Sequence, residues 1–168
     1  FIYEKRKELL SQFQPIFQEY YQTLSKGNEK VSIVYQSQLH DKSFEELLEE
    51  NLHKDRMAQH STQGIHKDDL DLNIMNHPIK KFGSQGQQKS YLIALKLAQL
   101  ELIKQNLKVT PLLLLDDIFD KLDESRVEQL ISLVNDDHFG QIFISDTHPE
   151  RTEAIVTKIN SESKIFRL

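Results

Sequence analysis

A chain of 168 residues fits one domain or a piece of a larger one, and is long enough to bury a core. Its 21 Lys and Arg against 26 Asp and Glu leave a net charge of -5, which excludes a generally sticky nucleic-acid binder and confines any DNA contact to a local patch or to parts outside these residues. With no cysteine there is neither a disulfide framework nor a thiolate metal site, and with no apolar run of about 18 residues a soluble, cytoplasmic chain away from membranes is expected.

The chain opens on Phe1-Ile2-Tyr3-Glu4-Lys5-Arg6, inside a helical pattern and without a methionine, so a cut from a longer protein is expected. From Leu9, the positions Leu10, Phe13, Phe17, Tyr20, Tyr21 and Leu24 recur at helical steps, and Gly27-Asn28 ends that helix. Val31 to Tyr35 reads as a strand. Ser43 with Glu46 predicts a capped helix whose stripe is Phe44, Leu47, Leu48 and Leu52, running to about Ser61. Leu70 to Ile74 alternates as a half-buried strand, Asn76-His77-Pro78 turns it, and Ile79 to Phe82 is expected to return as its hairpin partner.

A helix is predicted from about Ser84 to Gln105, apolar round most of its circumference, with Lys89, Lys96, Gln99 and Lys104 left as a polar stripe. Leu112 to Leu115 reads as a fully buried strand, Glu124 to Val134 as a helix, and Gln141 to Ile144 as a second apolar strand ending at Ser145-Asp146. Lys164 to Leu168 reads as a last short strand. Buried strands alternating with helices predict an α/β fold with a parallel sheet, whose ligands gather beyond the carboxyl ends of the strands. Asp116, Asp117 and Asp146 fall there.

Two elements carry the chemistry. Gly83-Ser84-Gln85-Gly86-Gln87-Gln88-Lys89-Ser90 offers a hydroxyl and bare amides at a helix start, where phosphate is held. The leucine strand ends in Asp116-Asp117, a way to place a magnesium ligand beside a catalytic acid or base, with Asp120, Asp123 and Glu124 close behind. The same two acids also fit a plain loop that caps the next helix. A carboxylate after a buried strand is nonetheless costly without a metal or cation partner. Gly83 to Ser90 is one residue short of a phosphate-cradling P-loop, but Gln88 stands where the glycine must be and no buried strand precedes it, so that reading is rejected.

A Ser-x-Gly-Gln helix start, a hydrophobic strand ending Asp-Asp, Lys121-Leu122-Asp123, and a strand ending at Ser145-Asp146 occur in an order that resembles the C-terminal half of an ABC-type ATPase head. More narrowly, Gly64-Ile65-His66-Lys67-Asp68-Asp69-Leu70, the Phe82 to Ser90 segment with Leu95-Lys96-Leu97-Ala98, and Leu113 to Asp117 with Leu122-Asp123 resemble the RecF family of DNA replication and repair proteins, over about Phe1 to Ile155. The fold implied is a helical lobe with a small β element over 1–82, beside the C-terminal half of an ABC ATPase sheet over 83–168.

The resemblance implies the roles that follow. Ser84 and Gly86, with Gln87, match the signature motif that contacts the γ-phosphate of ATP on the opposite protomer. Asp116 matches the magnesium-side acid. Asp117 stands where most relatives of the wider superfamily carry the glutamate that polarises water, and Asp123 matches the loop that crosses between protomers. The switch histidine falls at about Asp146, with His148 two residues on; either faces the γ-phosphate, or His148 only caps the last helix. His66-Lys67-Asp68-Asp69 reads as a charged turn entering the Leu70 strand, or as a support near a dimer or DNA surface. Lys80 and Lys81 are the local candidates for a phosphate-backbone contact.

The activity implied is a weak ATP hydrolase with ATP and Mg2+ as cofactors, closing as a homodimer on DNA at a double-strand/single-strand junction, with RecO and RecR as partners. The isolated chain is expected to be inactive, because the phosphate-cradling lysine lies outside it. A Rad50-like or structural-maintenance head, and an interaction domain without catalysis, are the alternatives. A long heptad coil would mark the former, whereas the opening helix here is short and aromatic.

Overall fold

The computed structural model describes residues 1–134, 139–157 and 163–167. Helix α1 (Ile2–Ser25) carries Pro15 in its interior and stops where Lys26 and Gly27 turn left-handed. There the Gly27 amide reaches back to the Gln22 carbonyl at 2.8 Å, satisfying an otherwise orphaned acceptor. Strand β1 (Val31–Gln36) pairs antiparallel with β2 (Asp69–Ile74) in a continuous register from Val31–Ile74 to Gln36–Asp69. Between them, α2 (Phe44–Ala58) begins with the expected reciprocal Ser43/Glu46 capping box. It stops at Ala58, short of Ser61, because Gln59 goes left-handed and the Thr62 amide and hydroxyl both bind Asp55, at 2.8 and 2.6 Å.

The hairpin partner expected over Ile79 to Phe82 is not a strand. Strand β3 is only His77–Pro78, paired with Ile74 and Asn73, and Ile79–Phe82 is a single helical turn, α3. Pro78 has no N–H to continue the ladder, while its fixed φ of -54 suits the residue that starts a helix. Gly83 follows because any side chain there would press within 2.7 Å of the Ile79 carbonyl.

Helix α4 (Gln85–Leu107) is the central element, burying Ser90, Tyr91, Ile93, Ala94, Leu97, Ala98, Leu100 and Leu102. It packs on α1 through an aromatic cluster: the Tyr91 ring lies 4.7 Å from Phe17 and 5.8 Å from Tyr21, and its hydroxyl donates to the Ser32 carbonyl at 2.9 Å. Strand β4 (Leu113–Leu115), helix α5 (Glu124–Val134), strand β5 (Ile142–Ile144) and helix α6 (Pro149–Val156) complete the order, with β4 and β5 parallel as expected.

The leucine run is only half buried. Leu113 and Leu115 enter the core, whereas Leu112 and Leu114 are 61% and 72% exposed and Phe143 of β5 is also exposed. Strand side chains alternate, and only one face of this two-stranded sheet meets α4 and α5 in the common core. Lys164 to Arg167 form no strand; Arg167 pairs instead with Glu153, and Leu168 lies outside the described residues.

Candidate nucleotide-binding site

Beyond the carboxyl end of β4 the chain makes an acidic loop with two non-glycine residues in left-handed conformation, Asp117 (φ 44) and Lys121 (φ 65). Ser145, at the end of the neighbouring β5, holds the start of this loop: its hydroxyl donates to Asp116 and accepts from the Asp117 amide at 3.2 Å. Asp116 is exposed, so the expected cost of burial does not fall on it. The cost falls on Asp117, whose Oδ1 is buried without a hydrogen-bond partner. A buried carboxylate oxygen left so calls for a cation or a water. The Lys89 ammonium, expected on the polar stripe of α4, instead lies against this loop and donates to the Asp117 carbonyl at 2.9 Å.

Ser84 caps α4. Its hydroxyl accepts from the Gln87 amide at 3.2 Å, and the Gln87 side-chain oxygen accepts from the Ser84 amide at 2.8 Å. Gln87 is engaged at its other end too, donating to Glu29 at 3.0 Å. Ser84 is exposed and faces outward. Gly86 matters for space: a Cβ there would meet the Lys121 carbonyl at 3.1 Å, so the helix start and the acidic loop lie directly against each other.

Arg126 and Glu29 form a second, nearly buried cluster behind this contact. Arg126 Nη2 donates to Glu29 at 2.8 Å, Nη1 to the Ser90 hydroxyl at 2.9 Å, and Nε lies 3.2 Å from Asp123. The Arg126 amide is capped by Asp123 at 2.9 Å, and Tyr21 donates to the other Glu29 oxygen at 2.5 Å. Burial pushes the Glu29 carboxyl up, but hydrogen bonds from Tyr21 and Gln87 and the Arg126 charge outweigh it and hold the group below the usual carboxylate range. Burial, and then the bond to Glu29, push the Tyr21 phenol well up.

No family model matches the chain. Over 99% of its length it is 58% identical to the DNA replication and repair protein RecF of Flavobacterium johnsoniae and 48% identical to that of Bacteroides thetaiotaomicron, covering 46% and 45% of those proteins. The chain belongs to the RecF family. It spans slightly less than half the length of these curated relatives. Among solved structures, the recombination mediator protein RecF-ATP of the RecFOR pathway matches with a TM-score of 0.71 at 22% identity, over 89% of this chain and 43% of that one. A structure from work on ATP-driven dimerization of SMC ATPases matches with a TM-score of 0.53 at 14% identity, over 96% of this chain and 99% of that one. Both likenesses show the fold alone, a mixed α/β fragment resembling part of those proteins.

The remaining candidates of this RecF-family chain separate by exposure. The Asp146 side chain is fully buried, whereas His148, 3.7 Å from it, is 67% exposed at the same strand end. Lys80 and Lys81 are exposed on α3, where the Lys81 ammonium lies 5.5 Å from the exposed Phe82 ring and His77 stacks against that ring at 4.9 Å. The Gly64 to Leu70 segment is a structural joint. Its Asp68 carboxylate, 4% exposed, takes Arg6 at 2.7 Å and the Tyr35 hydroxyl, so that α1 is tied to the entry of β2. His66 donates from Nε2 to the Ser61 carbonyl, 3.0 Å away, as a turn residue.

Glu29, Ser90, Arg126, Ser145 and the inward reach of Lys89 were not legible as site residues. For Ser145 the signal was present, since it precedes Asp146 at a strand end. Nothing in the sequence links Glu29 to Arg126 across 97 positions. Among the described residues no group of three or more His, Asp or Glu is arranged to hold a metal by itself.

Proposed function

We propose that this chain is the C-terminal half of an ATP-driven, DNA-binding clamp of recombinational repair and replication, active as a homodimer. The observation that carries this reading is the buried, unpartnered Asp117 oxygen beside an exposed Asp116, at the carboxyl end of β4. Such a pair fits a magnesium–nucleotide: Asp116 would ligate the ion, and Asp117 would hold the attacking water and take its proton. When bound, magnesium supplies charge neutralisation of the phosphates. Lys89 against the Asp117 carbonyl and Ser145 on Asp116 keep both acids in place.

The exposed Ser84 and the half-buried Gly86 at the start of α4 would receive the γ-phosphate of ATP held by the opposite protomer, with Asp123 crossing alongside. Gln87 supports this surface from within its capping box. Of the two switch candidates, His148 is the one presented to solvent, 3.7 Å from the buried Asp146 side chain. Lys80 and Lys81 with the exposed Phe82 form a small basic and aromatic edge suited to a DNA backbone and an unstacked base at a double-strand/single-strand junction. The Asp in place of a longer acid at 117 favours slow turnover, in keeping with a switch. RecO and RecR are the expected partners, as the RecFOR pathway of the structural relative supports.

The decisive experiment is ATP-induced dimerisation of the full-length protein, measured by sedimentation with and without Ser84→Arg. Dimers that form with ATP and vanish in the variant support a signature surface acting across the dimer. A wild-type protein that stays monomeric with ATP rejects the clamp.

A further inference from the structure

We propose that Arg126 and Glu29 are positioning residues that lock the two trans-acting surfaces, the start of α4 and the Asp123 loop, into one unit and tie that unit to the helical lobe. This rests on the clamp reading above. Arg126 spends its planar fork on three separate elements: Glu29 at the α1–β1 turn, Ser90 one turn into α4, and Asp123 at the start of α5. Both side chains are close to buried, at 13% and 17% exposure, so the bonds work at low local dielectric and neither group has water as an easy substitute. Glu29 in turn gathers Tyr21 from α1 and Gln87 from the capping box that fixes Ser84.

The geometry leaves little freedom. A Cβ at Gly86 would press on the Lys121 carbonyl at 3.1 Å, so α4 and the acidic loop pack as closely as only a glycine allows comfortably. Separating or rotating them breaks at least one bond of the Arg126 fork. A displacement of the lobe that moves Glu29 therefore reaches Ser84 through Gln87, and Asp123 through Arg126, at the same time. None of these groups is itself set to touch nucleotide; they act through Ser84, Gly86 and Asp123. A lysine at 126 keeps the charge opposite Glu29 but presents a single point rather than a fork. A glutamine at 29 keeps the shape and loses the charge.

The test uses the full-length protein in four forms: wild type, Ser84→Arg, Arg126→Lys and Glu29→Gln. Three quantities are read: melting temperature, ATP affinity of the monomer, and the ATP-dependent dimer dissociation constant. Arg126→Lys, which keeps a charge opposite Glu29, is expected to keep monomer ATP affinity and to melt close to wild type. Glu29→Gln keeps ATP affinity but melts lower, because it leaves Arg126 without its nearly buried charge partner. Each should weaken the dimer about tenfold, and Arg126→Lys is the variant that decides. Combined, they should weaken it no more than the stronger single change, because they cut one link. If both single variants dimerise like wild type while Ser84→Arg abolishes dimers, this inference is wrong and the clamp stands. If dimer loss in Arg126→Lys merely follows a loss of melting temperature, the pair is structural and the inference is again wrong. If wild type itself ignores ATP, the clamp reading fails and takes the inference with it.

Discussion

The two sheets of this chain are built on opposite terms. The β1–β2 pair runs six residues in register, is joined through α2, and has its open side folded against α1. The β4–β5 pair is three residues long, parallel, and leaves Leu112, Leu114 and Phe143 in solvent on one face. An antiparallel pair can complete itself locally, whereas parallel strands are found with both faces covered. Among the described residues the first sheet leaves Val34 and Leu70 only part exposed, whereas the second leaves a more exposed apolar face and is the less finished of the two. It is the second that carries Asp116, Asp117 and Ser145, so the chemistry sits where the fold depends on something further.

The contrast is broken most severely at the cluster that joins the two regions. Arg126→Ala leaves Glu29 nearly buried without its charge partner, and should cost about 3 kcal/mol in urea unfolding, the low end for a broken buried pair. Within the finished region, Asp68→Ala removes the acceptor of Arg6 and Tyr35 and should cost about 2 kcal/mol, discounted because Arg6 is half exposed. Both acids also predict a pH response. At Asp68 burial pushes the carboxyl up, but Tyr35 and Arg6 outweigh it, and Glu29 is depressed in the same way. Their contribution is complete above the unfolded carboxyl value, about 4.3 for Glu, and is lost as pH falls through the lower folded values. Acid titration of stability should show a loss that begins near pH 4.5 and shrinks in Glu29→Gln.

On the unfinished sheet the expectation reverses. Leu114→Thr should change the stability of this chain by less than about 0.5 kcal/mol, as exposed substitutions do, and should destabilise the full-length protein clearly more. Equal effects in both would show that the exposed face stays uncovered. The smallest effect on stability belongs to Lys80→Ala with Lys81→Ala, for which no change in melting is expected. Instead, the double variant should reduce the salt slope of DNA binding by about 2, one unit for each phosphate that a lysine no longer neutralises.

The sequence showed most of the order of elements because its signals were local. Ser43 with Glu46 and Ser84 with Gln87 are caps written within four residues, and both form. The motif residues Asp116 and Asp117 were legible as a pair, but not the division of labour between them. Exposure of one and burial of the other follow from tertiary packing, and the loop is held by Ser145, 28 or 29 positions away. The apolar run misled at Leu112 to Leu115, because it does not say whether both faces have partners in the same chain. At Ile79 to Phe82 the error lay in continuing a hairpin past Pro78, where the ladder has no donor. Glu29 carried no signal of its own, and only the packing of α1 on α4 and α5 turns it toward Arg126.

The capping role of Ser84 has a further consequence. Because its oxygen accepts the Gln87 amide, the hydroxyl hydrogen cannot serve the helix and is left to point ahead of it. The oxygen is thus held in place before any ligand arrives, and its hydrogen remains available to donate to an incoming oxygen acceptor. Threonine would preserve that donor. Alanine would remove the donor and the cap together, so its effect on binding cannot be read without a parallel measure of how far α4 frays.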